Sequence, residues 1–220
     1  MIGAAIVGIL VVMAVNTALM AACQARYAFS PGTRMNARSV AGAGNYWSII
    51  ALNVAAVFGT YIGGVLLFPN LLIREGPSHW YEVVVPVLLY DFCYYWGHRL
   101  MHTGFLMRRL HGWHHLCRHP TAIDGLYQRP QETAMALALL LACIAVVGPV
   151  GVTAFALVIF IHTVVNMLDH ANIRTGIGWL DHMMMAHDLH HSKRNVNFGL
   201  TPLWDHVFGT THHSRKLAGS

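Results

Sequence analysis

The sequence predicts an all-α, polytopic membrane protein, with about four to five membrane-embedded helices and a histidine-rich helical cap on the cytoplasmic side. Of its 220 residues, 55% are hydrophobic and only 10% are charged, which makes a bilayer the natural solvent. The apolar residues fall in runs long enough to cross a hydrocarbon core of roughly 30 Å, and the basic residues gather in alternate connections. Lipid offers no water to satisfy peptide groups, so each run must be a helix.

Residues 2–22 form the first run. It has no basic leader and its apolar stretch is too long for a secretory signal, so it reads as a retained transmembrane helix. Arg26, Arg34 and Arg38 follow in a loop interrupted by Pro31, Gly32, Gly42 and Gly44, which the positive-inside bias assigns to the cytoplasm. A second run, 47–68, stops near Pro69-Asn70, and Arg74-Glu75-Gly76-Pro77 turns the chain on the far side. The third, 80–97, brings it back and delivers His98 to the cytoplasmic surface. Arg99, Arg108, Arg109, Arg118 and Arg129 keep residues 98–132 on that face.

The stretch 133–168 is almost uncharged and too long for one span. Gly148-Pro149-Val150-Gly151 divides it into hairpin arms, 133–148 and 151–168, that cross the membrane or re-enter it. Either way, residues 169–220 rejoin 98–132 on one membrane surface. With no repeat, low-complexity tract or long linker, residues 1–220 read as a single membrane-embedded domain. The formal charge of +5 follows the membrane topology and does not form a nucleic-acid footprint. Cys23, Cys93, Cys117 and Cys143 are scattered without CxxC spacing, so no disulfide framework or zinc knuckle is suggested.

Sixteen histidines are unusual in such a chain, and most lie within 98–119 and 162–191. Three patterns stand out: His98 with His102, His111 with His114 and His115, and His187 with His190 and His191. On a helix, positions i, i+3 and i+4 share a face, so each pattern can present its imidazoles to a common metal. One unbroken helix would set His111 about 180° from His102, and Thr103-Gly104 offers the break that is needed. A lone HxxxH pair is weak evidence of metal binding. Repetition on one membrane face is stronger, because clustered imidazoles lose hydration without gaining partners. Eight ligands exceed what one ion can use, so the patterns imply two metals; imidazole suits zinc, copper, iron or nickel alike.

These patterns resemble the fatty acid hydroxylase and sterol desaturase superfamily of integral membrane di-iron enzymes, whose motifs are HxxxH, HxxHH and a later HxxHH. The likeness extends from Tyr90 to Thr210: Tyr90-Asp91-Phe92-Cys93-Tyr94-Tyr95-Trp96-Gly97-His98-Arg99 resembles the approach to the first box, and Trp204-Asp205-His206-Val207-Phe208-Gly209-Thr210 the family's ending. His170-Ala171-Asn172 resembles its His-x-Asn element and adds His170 to the implied ligands. Two departures occur, at Arg129-Pro130-Gln131-Glu132 and at Asn166-Met167-Leu168-Asp169-His170. Asn166 can bind a metal weakly, contact a metal-bound water or hydrogen-bond within a helix pair, the last being favoured.

Asp91, seven residues before His98, is placed to orient a ligand from another helix or a substrate head group. Asp188 and Asp205 are candidates of the same kind. His119 is evenly balanced between ligand and surface residue, and His162 between a functional role and a bridge between helices. His79, His206, His212 and His213 read as solvated or interfacial.

The resemblance implies an oxidoreductase: two iron ions with O₂ as co-substrate, hydroxylating or desaturating a C–H bond of a sterol, fatty acyl, sphingoid or terpenoid lipid. The chain has no nucleotide fingerprint or haem-domain motif, so electrons must come from a separate donor such as a ferredoxin, rubredoxin or cytochrome b5. Arg108, Arg109, Arg118, Lys193 and Arg194 form a basic surface suited to an acidic donor, though topology explains them equally well. Zinc can substitute in the same histidine cage, giving a rival reading as a membrane hydrolase or isomerase. A metal transporter or haem-carrying subunit is the other rival, but its ligands should lie within the spans instead of at their ends.

Overall fold

A computed structural model describes residues 1–40 and 44–214; Gly42 of the first basic loop lies outside the described residues. Among these, the chain is helical apart from four strands of two or three residues. Four helices are long and apolar enough to cross a membrane: α1 (Ile2–Phe29), α2 (Tyr46–Leu67), α6 (Pro130–Val147) and α7 (Val152–Asp169). A fifth long helix, α4 (Tyr81–Met101), also carries Glu82, Asp91, His98 and Arg99. The short helices are α3 (Pro69–Leu72), α5 (Gly104–Arg109) and α9 (Pro202–Val207), and α8 (Gly178–Lys193) bears the last histidine pattern. The protein is therefore an integral, multi-pass membrane protein. Its first helix runs seven residues beyond the expected end at 22, because nothing between Cys23 and Phe29 breaks a helix and Pro31 is the first residue that does.

In the bundle α1 packs on α7, α2 on α6, and α4 on both α6 and α7. Small residues allow close approach: a Cβ on Gly8 would lie 3.3 Å from that of Ala156. Tyr61, Tyr90, Leu140, Ile144, Phe155 and Ile159 fill the core, whereas Val7, Val11, Val15, Leu52, Leu66, Val84 and Leu88 face outward. That reversal of soluble practice is what a lipid solvent permits.

The α6–α7 hairpin turns at Gly148, whose φ of +107° favours glycine. Each arm has 18 residues, about 27 Å of helix and close to the hydrocarbon thickness. On this far side the strand Ile73–Arg74 pairs in parallel with Val150–Gly151, and Glu82 accepts from Arg74 and from the backbone N–H groups of His79 and Gly151. At the opposite end, residues 33–36 pair with 172–174, and Ser39–Val40 pairs with Cys117–His119. All of the histidine patterns lie at this end.

Candidate metal centre

The helix α4 ends at Met101, Thr103 is extended, and α5 begins at Gly104, so the chain breaks between the first and second histidine patterns. After α5, Leu110 interrupts the helix again and His111–Leu116 forms a 3₁₀ helix, not the α-helix that the spacing suggested. His111 and His115 join one cluster and His114 the other, the same division that α8 makes between His187 with His191 and His190. His170 caps the C-terminus of α7, and α8 supplies His187, His190 and His191.

These segments bring all nine expected histidines together in two adjoining clusters. His98, His102, His111, His115 and His190 form one, and His114, His170, His187 and His191 the other; within each, one ring nitrogen per residue lies within 4.8 Å of all the others. The clusters touch where the rings of His115 and His191 approach to 4.9 Å between centroids and those of His111 and His114 to 5.4 Å.

Hydrogen bonding fixes the protonation of most rings. His98 Nδ1 donates to the Phe198 carbonyl at 2.7 Å, His115 Nδ1 to that of His191 at 3.4 Å, His170 Nδ1 to that of Asn166 at 2.7 Å, His190 Nδ1 to that of Val196 at 2.7 Å and His191 Nδ1 to that of Cys117 at 2.8 Å. A carbonyl only accepts, so each Nδ1 bears the proton and each neutral ring presents a bare Nε2 lone pair. The sixth is His111, whose Nδ1 lies 2.5 Å from Glu132 Oε1.

The Nε2 atoms then face one another. His111 Nε2 stands 2.9 Å from those of both His98 and His115; His170 Nε2 is 3.1 Å from those of His114 and His187, and His187 Nε2 is 3.1 Å from that of His191. Lone pairs held this close repel unless a cation lies between them. Imidazole nitrogens bind such cations at about 2.0–2.1 Å, and two at right angles would lie about 3.0 Å apart. The buried Nε2 atoms of His102 and His190 have no protein partner, which fits the same role. The residues present therefore fit two metal ions held mainly by imidazole. Burial, reinforced by neighbouring imidazoles, holds His111, His114, His187, His190 and His191 well below the ordinary histidine range and lowers His115 to about 3 and His102 to about 2, so the rings stay neutral.

The supporting residues differ from expectation. Asp91 orients no histidine: it accepts from Thr201 N at 3.1 Å and Thr201 Oγ1 at 2.5 Å, anchoring the start of α9. Asp205 accepts from Phe198 N, Gly199 N and Thr210 Oγ1, each within 2.7 Å, and so fixes the loop whose carbonyls receive His98 and His190. Asp188 receives His119 Nδ1 at 3.0 Å and Asn36 Nδ2 at 2.7 Å; His119 lies outside both clusters and ties the strand Cys117–His119 to α8. Asn166 contributes its carbonyl to His170, while its side chain lines a cavity. His162 bridges helices, with Nδ1 3.3 Å from Tyr61 Oη and Nε2 3.1 Å from Tyr90 Oη.

Glu132 was the residue sequence reasoning passed over as an acceptor, although an acid at the start of an otherwise apolar span is a signal in itself. Asp169 was also missed. Both its oxygens and Nδ1 of His187 are buried without a protein partner, and both residues border the same cavity of about 10 Å³.

Comparison with known proteins agrees with this geometry. The fatty acid hydroxylase family pattern matches residues 83–210, more than half of the 220-residue chain. The chain is 28% identical over 155 residues to the very-long-chain aldehyde decarbonylase GL1-11 of Oryza sativa subsp. indica and to methylsterol monooxygenase 2-2 of Arabidopsis thaliana, covering 63% of this chain and 56% of each relative. It is 28% identical over 148 residues to the human fatty acid hydroxylase domain-containing protein 2, covering 62% of this chain and 41% of that protein. The match thus spans about half the length of these relatives. No solved structure matches the chain. By the extent of the family match, with every histidine pattern inside it, the chain belongs to the fatty acid hydroxylase family.

Proposed function

We propose that the chain is a membrane oxidoreductase in which His98, His102, His111, His115 and His190 hold one iron ion and His114, His170, His187 and His191 a second, and which uses O₂ to hydroxylate or desaturate a lipid C–H bond. The observation that carries this reading is the convergence of fixed Nε2 lone pairs in two touching clusters at the ends of membrane helices. Iron, when bound, supplies the redox chemistry with O₂ that zinc lacks.

Hydroxylation balances as lipid C–H plus O₂, two electrons and two protons giving C–OH and water. The electrons come from a separate donor of the ferredoxin, rubredoxin or cytochrome b5 kind. The chain's own part is to fix five of the nine imidazoles through backbone carbonyls and His111 through Glu132, keep bulk water from a buried centre and admit a substrate from the bilayer. Arg108, Arg109, Arg118, Lys193 and Arg194 on the histidine side support a cytoplasmic location and offer a docking face for an acidic donor. The equal identity to a relative named as an aldehyde decarbonylase supports a second reading, loss of the carbonyl carbon of a lipid aldehyde.

The test is His114→Ala and His190→Ala in purified protein, one from each cluster, with iron content and product measured together. Each is expected to fall below two irons per chain and to lose product; full iron and full activity in both variants would overturn the proposal. Lipid mass spectrometry of cells with and without the protein separates the readings, as a gained oxygen, two lost hydrogens or a shortened chain. Turnover under strict anaerobiosis would favour the zinc-dependent alternative.

A further inference from the structure

A cavity of about 140 Å³ lies among α1, α2, α6 and α7, roofed by the 3₁₀ helix Ala122–Leu126. Its lower wall is apolar, with Met13, Val54, Val57, Phe58 and Leu137. Its upper end reaches Gly125 and Asn166, both in contact with His170: a Cβ on Gly125 would lie 3.0 Å from the His170 ring, and Asn166 receives its Nδ1. The cavity therefore extends from the histidine layer into the membrane-spanning part of the bundle. Of the described residues that line it, none is Asp, Glu, Lys or Arg.

Most polar groups in this wall are already engaged. Gln128 Nε2 donates to Thr133 Oγ1, Thr133 donates to Asn53 Oδ1, and Asn53 Nδ2 donates to the Gln128 carbonyl, closing a ring of bonds. Thr17 and Thr163 donate to carbonyls of their own helices, and His162 is held between two tyrosines. Two amides remain: the side chain of Asn166 makes no hydrogen bond to a described residue, and Asn16 Oδ1 is buried with no donor. A buried amide oxygen left unpaired in an apolar span costs stability, so its persistence points to a donor that enters with a ligand. A second cavity of about 140 Å³, between α4 and α7, contrasts with this one, because its polar groups Asp91 and Thr201 are bonded to each other.

Resting on the reading of the chain as a lipid-modifying protein, we propose that this cavity is the lipid site and that Asn16 reads its ligand: an uncharged, hydroxyl-bearing lipid whose O–H donates to Asn16 Oδ1. The orphan atom is an acceptor, so the ligand must supply a hydrogen. A carboxylate has none to give and would enter a wall without cations; a phosphorylated head group would fare worse. Helices α1 and α7 run side by side from Gly8 against Ala156, so Asn16 lies level with about residue 164, roughly 9 Å below His170.

The test uses the protein as purified in detergent, with no reductant so that nothing turns over, and measures binding of 1-octadecanol, octadecane and stearate, with cholesterol and cholestane as a second matched pair. The hydroxyl member of at least one set is expected to bind about tenfold more tightly than its hydrocarbon, a typical yield for one buried hydrogen bond, and stearate more weakly than octadecanol. Asn16→Leu should abolish the alcohol preference while hydrocarbon binding persists. Ala136→Phe, which fills the cavity, should weaken every member. Stearate binding as well as octadecanol, an alcohol preference surviving in Asn16→Leu, or no binding by any probe would each overturn the inference. The wild-type ranking decides even if a variant fails to fold. Iron content and product in the histidine variants are read separately, so either idea can fail alone.

Discussion

Replacing Glu132 separates the energetics of the metal centre from those of the fold. Glu132 is 4% exposed, and its Oε1 lies 2.5 Å from Nδ1 of His111, the ring whose Nε2 faces both His98 and His115. A cation bound at His111 Nε2 would keep the Glu132 carboxyl ionised, and in Glu132→Gln an amide oxygen can still accept but the charge that strengthens the bond is lost. A charged hydrogen bond contributes about 1.5–3 kcal/mol and a neutral one about 0.5–1.5, so the difference is about 1–1.5 kcal/mol, or roughly tenfold in metal affinity. Glu132→Leu removes the acceptor and leaves a buried N–H unpaired, about 1–3 kcal/mol, so affinity should fall up to about a hundredfold. Without metal, His111 can move its proton to Nε2 and donate to His98 or His115, and Glu132 Oε2 has no partner to lose. The thermal midpoint of metal-free Glu132→Leu should therefore be no lower than wild type while chelator competition shows weaker metal retention. Unchanged retention, or a loss of metal-free stability equal to the loss of affinity, would refute this account of Glu132.

Asp205→Ala should weaken the five-histidine cluster from a distance: the loop whose Phe198 and Val196 carbonyls orient His98 and His190 loses three acceptor contacts. We expect a loss of about 2–4 kcal/mol in denaturant unfolding, with metal retention falling in parallel. Gly125→Ala places a Cβ 3.0 Å from the His170 ring and should cut metal at the four-histidine cluster while sparing the other, read as stoichiometry falling towards one per chain. Burial alone would raise the Asp124 carboxyl, but Arg38, Tyr46 and Thr121 outweigh it and hold the group below its ordinary 3.8. A depressed carboxylate stabilises the fold above its unfolded value, and that contribution is lost as pH falls through the folded value. Arg38→Gln should thus move the acid-unfolding midpoint, followed by circular dichroism, to higher pH; an unchanged midpoint would show that the pair, with Arg38 41% exposed, is screened.

The spans were legible because a hydrocarbon solvent imposes a length and a composition on each helix, and the hairpin because Gly148-Pro149 interrupts an otherwise uniform run. The nine histidines were legible because imidazoles at i, i+3 and i+4 share a face whether the helix is α or nearly so, and His170 through its resemblance to a family element. The division into five and four was not. Both HxxHH patterns divide alike, the outer pair at i and i+4 to one cluster and the histidine at i+3 to the other, in the 3₁₀ segment His111–Leu116 and in the α-helix α8, and it is the tertiary facing of these two segments that sets which ring meets which. The acids were hardest to place, because a carboxylate's partner is set by tertiary contact and not by spacing. Asp91 and Asp205, both near the family-like segments, serve the loop beneath the site, while Glu132, at a position where the chain departs from the family's pattern, touches a clustered histidine.

The acceptors that orient the rings suggest why the two clusters and the fold are inseparable. Five of the six oriented rings are held by backbone carbonyls: Phe198 and Val196 in the loop beside α9, Cys117 in a strand edge, His191 in the last turn of α8 and Asn166 in α7. A carbonyl built into secondary structure cannot turn away, so it fixes both tautomer and ring direction. The same bonds force Nε2 lone pairs to within about 3 Å of one another before any cation is present, a local conflict that the surrounding helices must sustain. Binding a cation relieves that conflict without moving the framework, so metal affinity adds directly to the stability of the folded cap. Side-chain acceptors would let the rings rotate apart, making the metal-free protein more stable and the metal-bound one less so.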